Sequence, residues 1–572
     1  MTSVAVAVPI REARGQRAGI ASPRSSPVIS SAAAGVLGGL GDWWATRAEA
    51  AGLSGPWLDV HWAIDAQAPT IEYSGPVTSA LTGNAEQVGQ SYVLALPVDE
   101  RAKYGRHYTP PPLAAELWAM TKRAMGWKRP QPLAGRVIDP ACGAGALLLP
   151  VLREHLGAAA RVEGELALNA LPNYIVGIDN DPAAAWLASV LLASEMLPIL
   201  ARTERARRKP LPALVRHGDG LAALDEPVRT VIMNPPYGRV RLGEEERARF
   251  AESLYGHANL YGLFMASALE SLDDEGVMTA LVPTSFLAGR YFENLRAVFA
   301  KRAPLREIMF VADRSESFSG VLQETCLATF SRRKARRVAI ANISGNVNQV
   351  AKVASPRVAA PWLLPRRSDD APMAAAAIGM RLTLADAGWR VSTGPLVWNR
   401  RKSDLSARAS SSRVRVLWAA DIDGGVVHRD RARDTVRFLT LRGTDSRTLV
   451  LDQPAVLVQR TTAPEQTRRL VAAYLAAEKL QEWGGRIVIE NHVNVIRPLT
   501  VSPALSGEVL TRLFATDTID RVLRCLSGSV AVSAYELDAL PLPCAEILQQ
   551  WATLAGDDFD EAVAAAYRSV DR

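Results

Sequence analysis

Little in this chain signals a secreted, membrane-bound or metal-built protein. Cysteine is scarce, four in 572 residues, and Cys142, Cys326, Cys525 and Cys544 lie far apart with no C-x-x-C and no paired histidines. Neither a disulfide framework nor a zinc site is indicated, so no metal is expected and a reducing cytosol is the expected compartment. No run reads as the roughly 20 apolar residues needed to cross a bilayer, and no membrane partner is expected. The opening "MTSVAVAVPIREARGQR" places its arginines after the apolar patch, the reverse of a secretory signal. Ser285 has no evident histidine and acid partner, which leaves a hydrolase reading unsupported. An Asp plus Glu-x-Lys constellation of the nuclease kind is missing too, and there is no internal repeat.

What is present is an ordinary globular composition, 48% apolar with a formal net charge of +7, long enough for two or three cores. Residues 1–40 read as a disordered polar tail and 41–92 as a helical or mixed segment. From 93 to 330, short apolar runs ("GRVIDPA", "NYIVGIDN", "TVIMNPP", "GVMTALVP", "EIMFVA", "TCLATFS") alternate with helical stretches. Strands spaced by helices predict an α/β fold with a Rossmann-like, doubly wound sheet. Residues 331–390, rich in Pro and Arg, read as a linker or boundary; 391–545 predict a mixed α/β domain, and 546–572 a terminal helix.

The chemistry gathers at strand ends. In "RVIDPACGAGALLLP" an apolar strand stops at Asp139-Pro140, and Gly143 and Gly145 turn the chain into a helix. Glycine suits a turn where backbone passes close to a ligand with no Cβ in the way, although many tight strand-to-helix turns need glycine for packing alone. A dinucleotide fingerprint wants a third glycine, and Leu148 stands in its place. Asp179 ends the next strand, suited to accept from ribose hydroxyls, and Asp219 in "RHGDGL" ends a third, suited to accept from an adenine amino group. A fourth strand stops at "NPPYG": proline has no N–H for a sheet and fixes φ, so Asn234 must begin a stiff loop.

Taken in order, "YGRHYTPPPLA", "DPACGAG", "GIDNDP", "GDGL" and "NPPYG" resemble the S-adenosylmethionine-dependent adenine-N6 DNA methyltransferases of restriction-modification type, in their gamma arrangement. The resemblance implies S-adenosylmethionine as cofactor, with Thr109 and Pro110 against its methionine part, Asp139, Pro140, Ala141, Gly143 and Gly145 beneath it, and Asp179 and Asp219 on its ribose and adenine. It implies a catalytic Asn234-Pro235-Pro236-Tyr237 in which the Asn234 side-chain oxygen and the Pro235 carbonyl each accept an amino hydrogen of an extruded adenine. Tyr237 would stack on that base. A second aromatic wall is expected from Phe330, or failing that Phe318. The domain at 391–545 is expected to be a target-recognition domain, with Arg400, Arg401, Lys402, Arg460, Asn491, His492 and Asn494 as DNA-contacting candidates, together with the nearby Arg468 and Arg469. The implied partners are double-stranded DNA and a cognate restriction endonuclease. Two other readings remain open: N-methylation of an RNA base or a protein glutamine, and a non-catalytic DNA-binding subunit with the same fold.

Overall fold

The computed structural model describes residues 30–69, 81–159, 163–311, 324–462, 466–526 and 531–568. The chain divides into two compact units. Unit 1 takes residues up to 283 together with 297–336, and unit 2 takes 284–296 and everything from 337 onward.

Unit 1 opens with α1 (Ser31–Gly38) and α2 (Leu40–Ala50). The Ser30 hydroxyl caps α1 by accepting from the Ala33 N–H. Helix therefore begins ten residues before the end of the expected tail, while residues 1–29 lie outside the described residues. Trp43 and Trp44 of α2 are buried and donate to the carbonyls of Gly83 and Trp57. A capping box at Asn84 and Gln87 starts α3 (Ala85–Ala95), which packs on α1. After α4 (Val98–Tyr104), two prolines at the start of α5 (Pro111–Met125) set φ for its first turn.

The central strands of unit 1 are β1 (Val137–Asp139), β2 (Ile175–Asp179), β3 (Val215–His217), β4 (Val228–Met233), β5 (Leu272–Pro283), β6 (Leu305–Val311) and β7 (Thr325–Ser331). Their order is β3-β2-β1-β4-β5-β7-β6. The pairs from β3 through to β5 are parallel, and β7 alone runs antiparallel, between β5 and β6. Helices cover a parallel sheet on both faces, which is why β4 and β5 read as apolar runs rather than alternating. The predicted doubly wound α/β sheet is what forms. Its order reverses at β1, so the crevice beyond the carboxyl ends of β1 and β4 is the switch point where such sheets take ligands.

Behind β1 runs α6 (Leu148–Ala158), and after β2 comes α7 (Pro182–Arg202), against which α2 and α3 pack. At 21 residues α7 is long and apolar enough to span a bilayer, which corrects the expectation that no such run exists. Most of it is buried within the protein, as a core helix is.

In unit 2, the stretch expected as a linker is folded. It carries the hairpin β8 (Arg337–Ser344) and β9 (Asn346–Ala354) and a helix over Ala371–Ile378. Beyond it, β10 (Trp389–Thr393), β13 (Ala455–Gln459), β14 (Ala472–Leu475) and β16 (Val493–Pro498) form an antiparallel sheet in the order β10-β16-β13-β14. A mixed sheet contains β12 (Phe438–Thr440), β11 (Arg413–Leu417) and β15 (Ile487–Ile489), with short edge strands at Leu405–Ser406 and Val450–Leu451. The expected terminal helix is two, Ala545–Thr553 and Gly556–Ala566, and their Trp551 and Phe559 belong to the same apolar core as Trp389 and Leu510.

Candidate active site

Four strand ends and one loop of unit 1 supply the groups singled out in the sequence. At the end of β1, Asp139 is 1% exposed and its Oδ1 accepts from the Ala141 N–H at 3.1 Å. The turn that follows holds Gly143 at φ 52° and Gly145 at φ 81°, the left-handed region where a side chain is strained. Gly145 lies close to Ala188 of α7, so that helix and turn pack tightly, while a Cβ at Gly143 would meet nothing within 4 Å. The Gly143 N–H donates to Asp179 Oδ2 at 2.8 Å, and the Asp181 N–H to Asp179 Oδ1 at 2.9 Å. Asp179 thus ties the glycine turn to the loop after β2. Each of its oxygens keeps a second lone pair for a ligand hydroxyl.

Asp219 is exposed beyond β3, and its Oδ1 accepts from the Leu221 N–H at 2.9 Å in a tight local turn. Its neighbour Gly220 passes so close to β1's loop that a Cβ there would stand 1.7 Å from the Pro140 carbonyl oxygen. The loops after β1 and β3 are in backbone contact only because this residue is glycine. Nothing in the sequence alone marks Gly220 for that role beyond its place beside Asp219.

The Asn234 loop follows β4, next to β1 in the sheet. Asn234 is half-buried; its Nδ2 donates to Thr109 Oγ1 at 3.0 Å, and its Oδ1 accepts from the Tyr237 hydroxyl at 3.1 Å. That hydroxyl is also 3.3 Å from the Leu281 carbonyl of β5. Burial pushes the Tyr237 phenol well above its ordinary range, so it keeps its proton. The Tyr237 ring meets Tyr261 edge to face at 6.1 Å. Pro235 is buried, and Pro236 packs against Gly105, where a Cβ would come within 3.0 Å of Pro236 Cα and 2.8 Å of Tyr237 N. Thr109 is 3% exposed, and Pro110 caps α5.

A supporting cluster escaped the sequence reading. Asp181 is buried and accepts from the Tyr92 hydroxyl of α3 at 3.4 Å, while Arg106 Nη1 lies 3.1 Å from the same carboxylate. Tyr92 is a plain apolar-looking helix residue, and only the fold reveals it.

These positions fit a cationic nucleoside cofactor: an open glycine turn and a strand-end acid on each of three adjacent strands, of which Asp139 is buried. Burial pushes the Asp139 carboxyl up to about 8, the Ala141 N–H opposes this, and the Asp179 charge adds to it. Because the folded value lies above the ordinary 3.8, the folded protein binds more protons than the unfolded chain between those two pH values. Stability contributed at Asp139 is therefore present in acid and lost as pH rises toward 8. In the absence of cofactor, Asp139→Asn is expected to reduce the fall in melting temperature between pH 5 and pH 8 by about 3 °C. Parallel melting curves for both proteins would contradict the buried-acid account.

Phe330 does not reach this site. It is 0% exposed and packs on Phe299 at 4.4 Å between ring centroids. Since β7 is antiparallel, Thr325 pairs with Pro283 at the carboxyl edge while Phe330 pairs with Met278, toward the opposite edge. Phe330 is a core residue; Phe318 lies outside the described residues.

In unit 2 the recognition candidates separate. Asn494 is 0% exposed and donates to the Val532 carbonyl at 2.8 Å, so it is structural. Arg401 is held by Asp404 at 2.5 Å and Asp445 at 2.8 Å. Arg460 donates to the Asn491 carbonyl at 3.2 Å, and Asn491 is half-buried. Arg468 donates to the carbonyls of Phe514 and Thr516, and Arg469 is buried. Arg400, Lys402 and His492 are exposed. Lys402 Nζ lies 5.3 Å from the Trp398 ring, and His492 Nδ1 is 2.6 Å from the buried Glu490 carboxylate.

Residues 227–318 match the Eco57I restriction-modification methylase family. Among curated proteins, the chain is 25% identical over 350 residues to the Type II methyltransferase M.PstI of Providencia stuartii, covering 58% of this chain and 67% of that one. It is 22% identical over 331 residues to the Type II methyltransferase M.BsuBI of Bacillus subtilis, covering 55% and 65%. The matched stretch spans about two thirds of the length of these relatives. Among solved structures, the Type IIL restriction-modification enzyme MmeI in complex with DNA aligns over 86% of this chain and 78% of its own, at 12% identity and a TM-score of 0.49.

Proposed function

We propose that this chain, a methyltransferase of restriction-modification type whose sequence resemblance the family match and the curated relatives bear out, transfers the methyl group of S-adenosylmethionine to adenine N6 at a specific site in double-stranded DNA. The observation that carries the reading is the half-buried Asn234 amide at the carboxyl end of β4, beside the glycine turn at the end of β1 across the switch point of the sheet.

When bound, S-adenosylmethionine supplies a methyl group on a positively charged sulfur. The protein's own part is to hold and orient. An exocyclic aromatic amine is a poor nucleophile because its lone pair is delocalised into the ring. Asn234 Oδ1 has one lone pair engaged by Tyr237 and a second for an amino hydrogen; the Pro235 carbonyl takes the other hydrogen. Two acceptors at fixed positions favour a pyramidal nitrogen whose lone pair faces the methyl carbon, and a loop stiffened by two prolines does so without reorganising. No strong base is required before transfer, and the site holds none at Asn234. The half-buried Tyr237 ring is the surface for the extruded base, where stacking is worth on the order of 1–3 kcal/mol. Of the recognition candidates, Arg400, Lys402 and His492 are exposed and suited to phosphate or base-edge contacts. The working compartment is the bacterial cytoplasm, and the natural partner is a cognate restriction endonuclease.

The test is transfer of labelled methyl groups to duplex DNA, RNA and a release-factor protein in parallel, with nucleoside mass spectrometry of the product. N6-methyladenine in duplex DNA, confined to one sequence, is the expected result. Label on RNA or protein alone would replace the reading by the other N-methylation chemistry. Cofactor binding without any turnover would replace it by a non-catalytic subunit.

A further inference from the structure

We propose that Thr109 is a positioning residue for the reaction: its hydroxyl tethers the Asn234 amide. The inference rests on the reading of Asn234 as the acceptor of the adenine amine.

Three side chains and one carbonyl make the tether. Thr109 Oγ1 accepts from Asn234 Nδ2 at 3.0 Å, and Asn234 Oδ1 accepts from Tyr237, whose hydroxyl also approaches the Leu281 carbonyl. Asn234 is thereby gripped at both ends of its amide, from the segment before α5 and from β5. The Tyr237 grip comes from three residues away on the same loop, steadied by the Leu281 carbonyl of β5. Thr109 is the anchor distant in sequence, 125 residues off. Thr109 is itself fixed: it is 3% exposed and precedes the Pro110 cap of α5. The neighbouring Gly105 backs onto Pro236, which presses this segment against the Asn234 loop from a second point.

The chemistry gives the tether a use beyond packing. An amide that donates through its nitrogen becomes a better acceptor at its oxygen, because hydrogen bonds in a chain polarise one another. Donation from Nδ2 to Thr109 strengthens Oδ1 as an acceptor for the incoming amine. Accepting from Asn234 leaves the Thr109 hydroxyl its own proton to donate, so the tether is told apart from a cofactor contact by reading cofactor affinity beside the rate.

The experiment uses the full chain as Thr109→Val and Thr109→Ser, the first close in shape without the hydroxyl and the second retaining it. Single-turnover methylation of duplex DNA bearing the target is measured at saturating cofactor, and cofactor affinity is measured separately by calorimetry. Thr109→Val is expected to be slower by about 30-fold, the scale of a misplaced reacting group, with cofactor Kd changed less than about threefold. Thr109→Ser should recover most of the rate. A Kd weakened in proportion to the rate would make Thr109 a cofactor ligand and overturn the proposal, as would an unchanged rate in Thr109→Val.

Failure of the functional reading is told apart by the parent protein, which would then label no DNA. The tether is still read without turnover, in protein labelled with [15N]asparagine. The Asn234 side-chain amide signals, identified by their loss in Asn234→Ala, should shift in Thr109→Val and stay near the parent position in Thr109→Ser. Identical signals in all three proteins would refute it.

Discussion

Asn234→Ala is expected to lower the single-turnover rate of methyl transfer about 10³-fold, while cofactor affinity changes less than about threefold. The first half follows from where the side chain stands. Asn234 offers the one side-chain oxygen at the end of β4 with a second lone pair free of Tyr237. On the proposed reading, alanine removes the acceptor and leaves the amine lone pair in the purine ring. The second half follows from what Asn234 does not touch. Among the described residues it is hydrogen-bonded to Thr109 and Tyr237, whereas the glycine turn and Asp179 are joined to each other without it. The substitution also strips partners from two hydroxyls in a half-buried site, a stability cost of about 1–3 kcal/mol. A melting curve must therefore accompany the kinetics. A variant that keeps its fold and transfers methyl groups at the parent rate would remove Asn234 from the chemistry.

Gly220→Ala should weaken cofactor binding at least about 100-fold, from a single added carbon that meets no ligand. The new Cβ would stand 1.7 Å from the Pro140 carbonyl oxygen and 3.1 Å from the Phe264 ring. The first neighbour is backbone, so one of the two loops must move. Pro140 follows Asp139 directly, and Gly220 follows Asp219, so any parting of the loops separates the acids that end β1 and β3. Calorimetry with S-adenosylhomocysteine reads the affinity. Unaltered binding by a stably folded variant would mean that those two acids do not address one ligand.

The site was legible where chemistry coincides with punctuation. Asp-Pro and Asn-Pro end strands because proline cannot donate to a sheet, and the ends of adjacent strands in a doubly wound sheet converge on one crevice. Asp139, Gly143, Asp179, Asp219 and Asn234 could each be placed from such local rules. Phe330 could not, because its position depends on the direction of β7, and "TCLATFS" reads the same in a parallel or antiparallel strand. Only pairing with β5 turns its far end away from the crevice. Asn494 looked like a DNA contact by residue type, yet its amide satisfies a buried carbonyl. Arg401 looked like a free cation, yet one of its two carboxylate partners, Asp445, lies 44 residues away. The stretch 331–390 read as a boundary because Pro and Arg dominate its letters, while the hairpin it contains is alternating and modest in hydropathy.

The brace at Asp181 bears on how such a chain could trade parts with its relatives. Tyr92 and Arg106 both reach that carboxylate, and its backbone N–H supports Asp179. A crossover between residues 93 and 105 would inherit one side of this arrangement from each parent, with every recognisable motif intact and the support under Asp179 mismatched. Viable chimeras should instead exchange material after β7, with residues 284–296 carried along with the rest of unit 2, so that the brace stays whole.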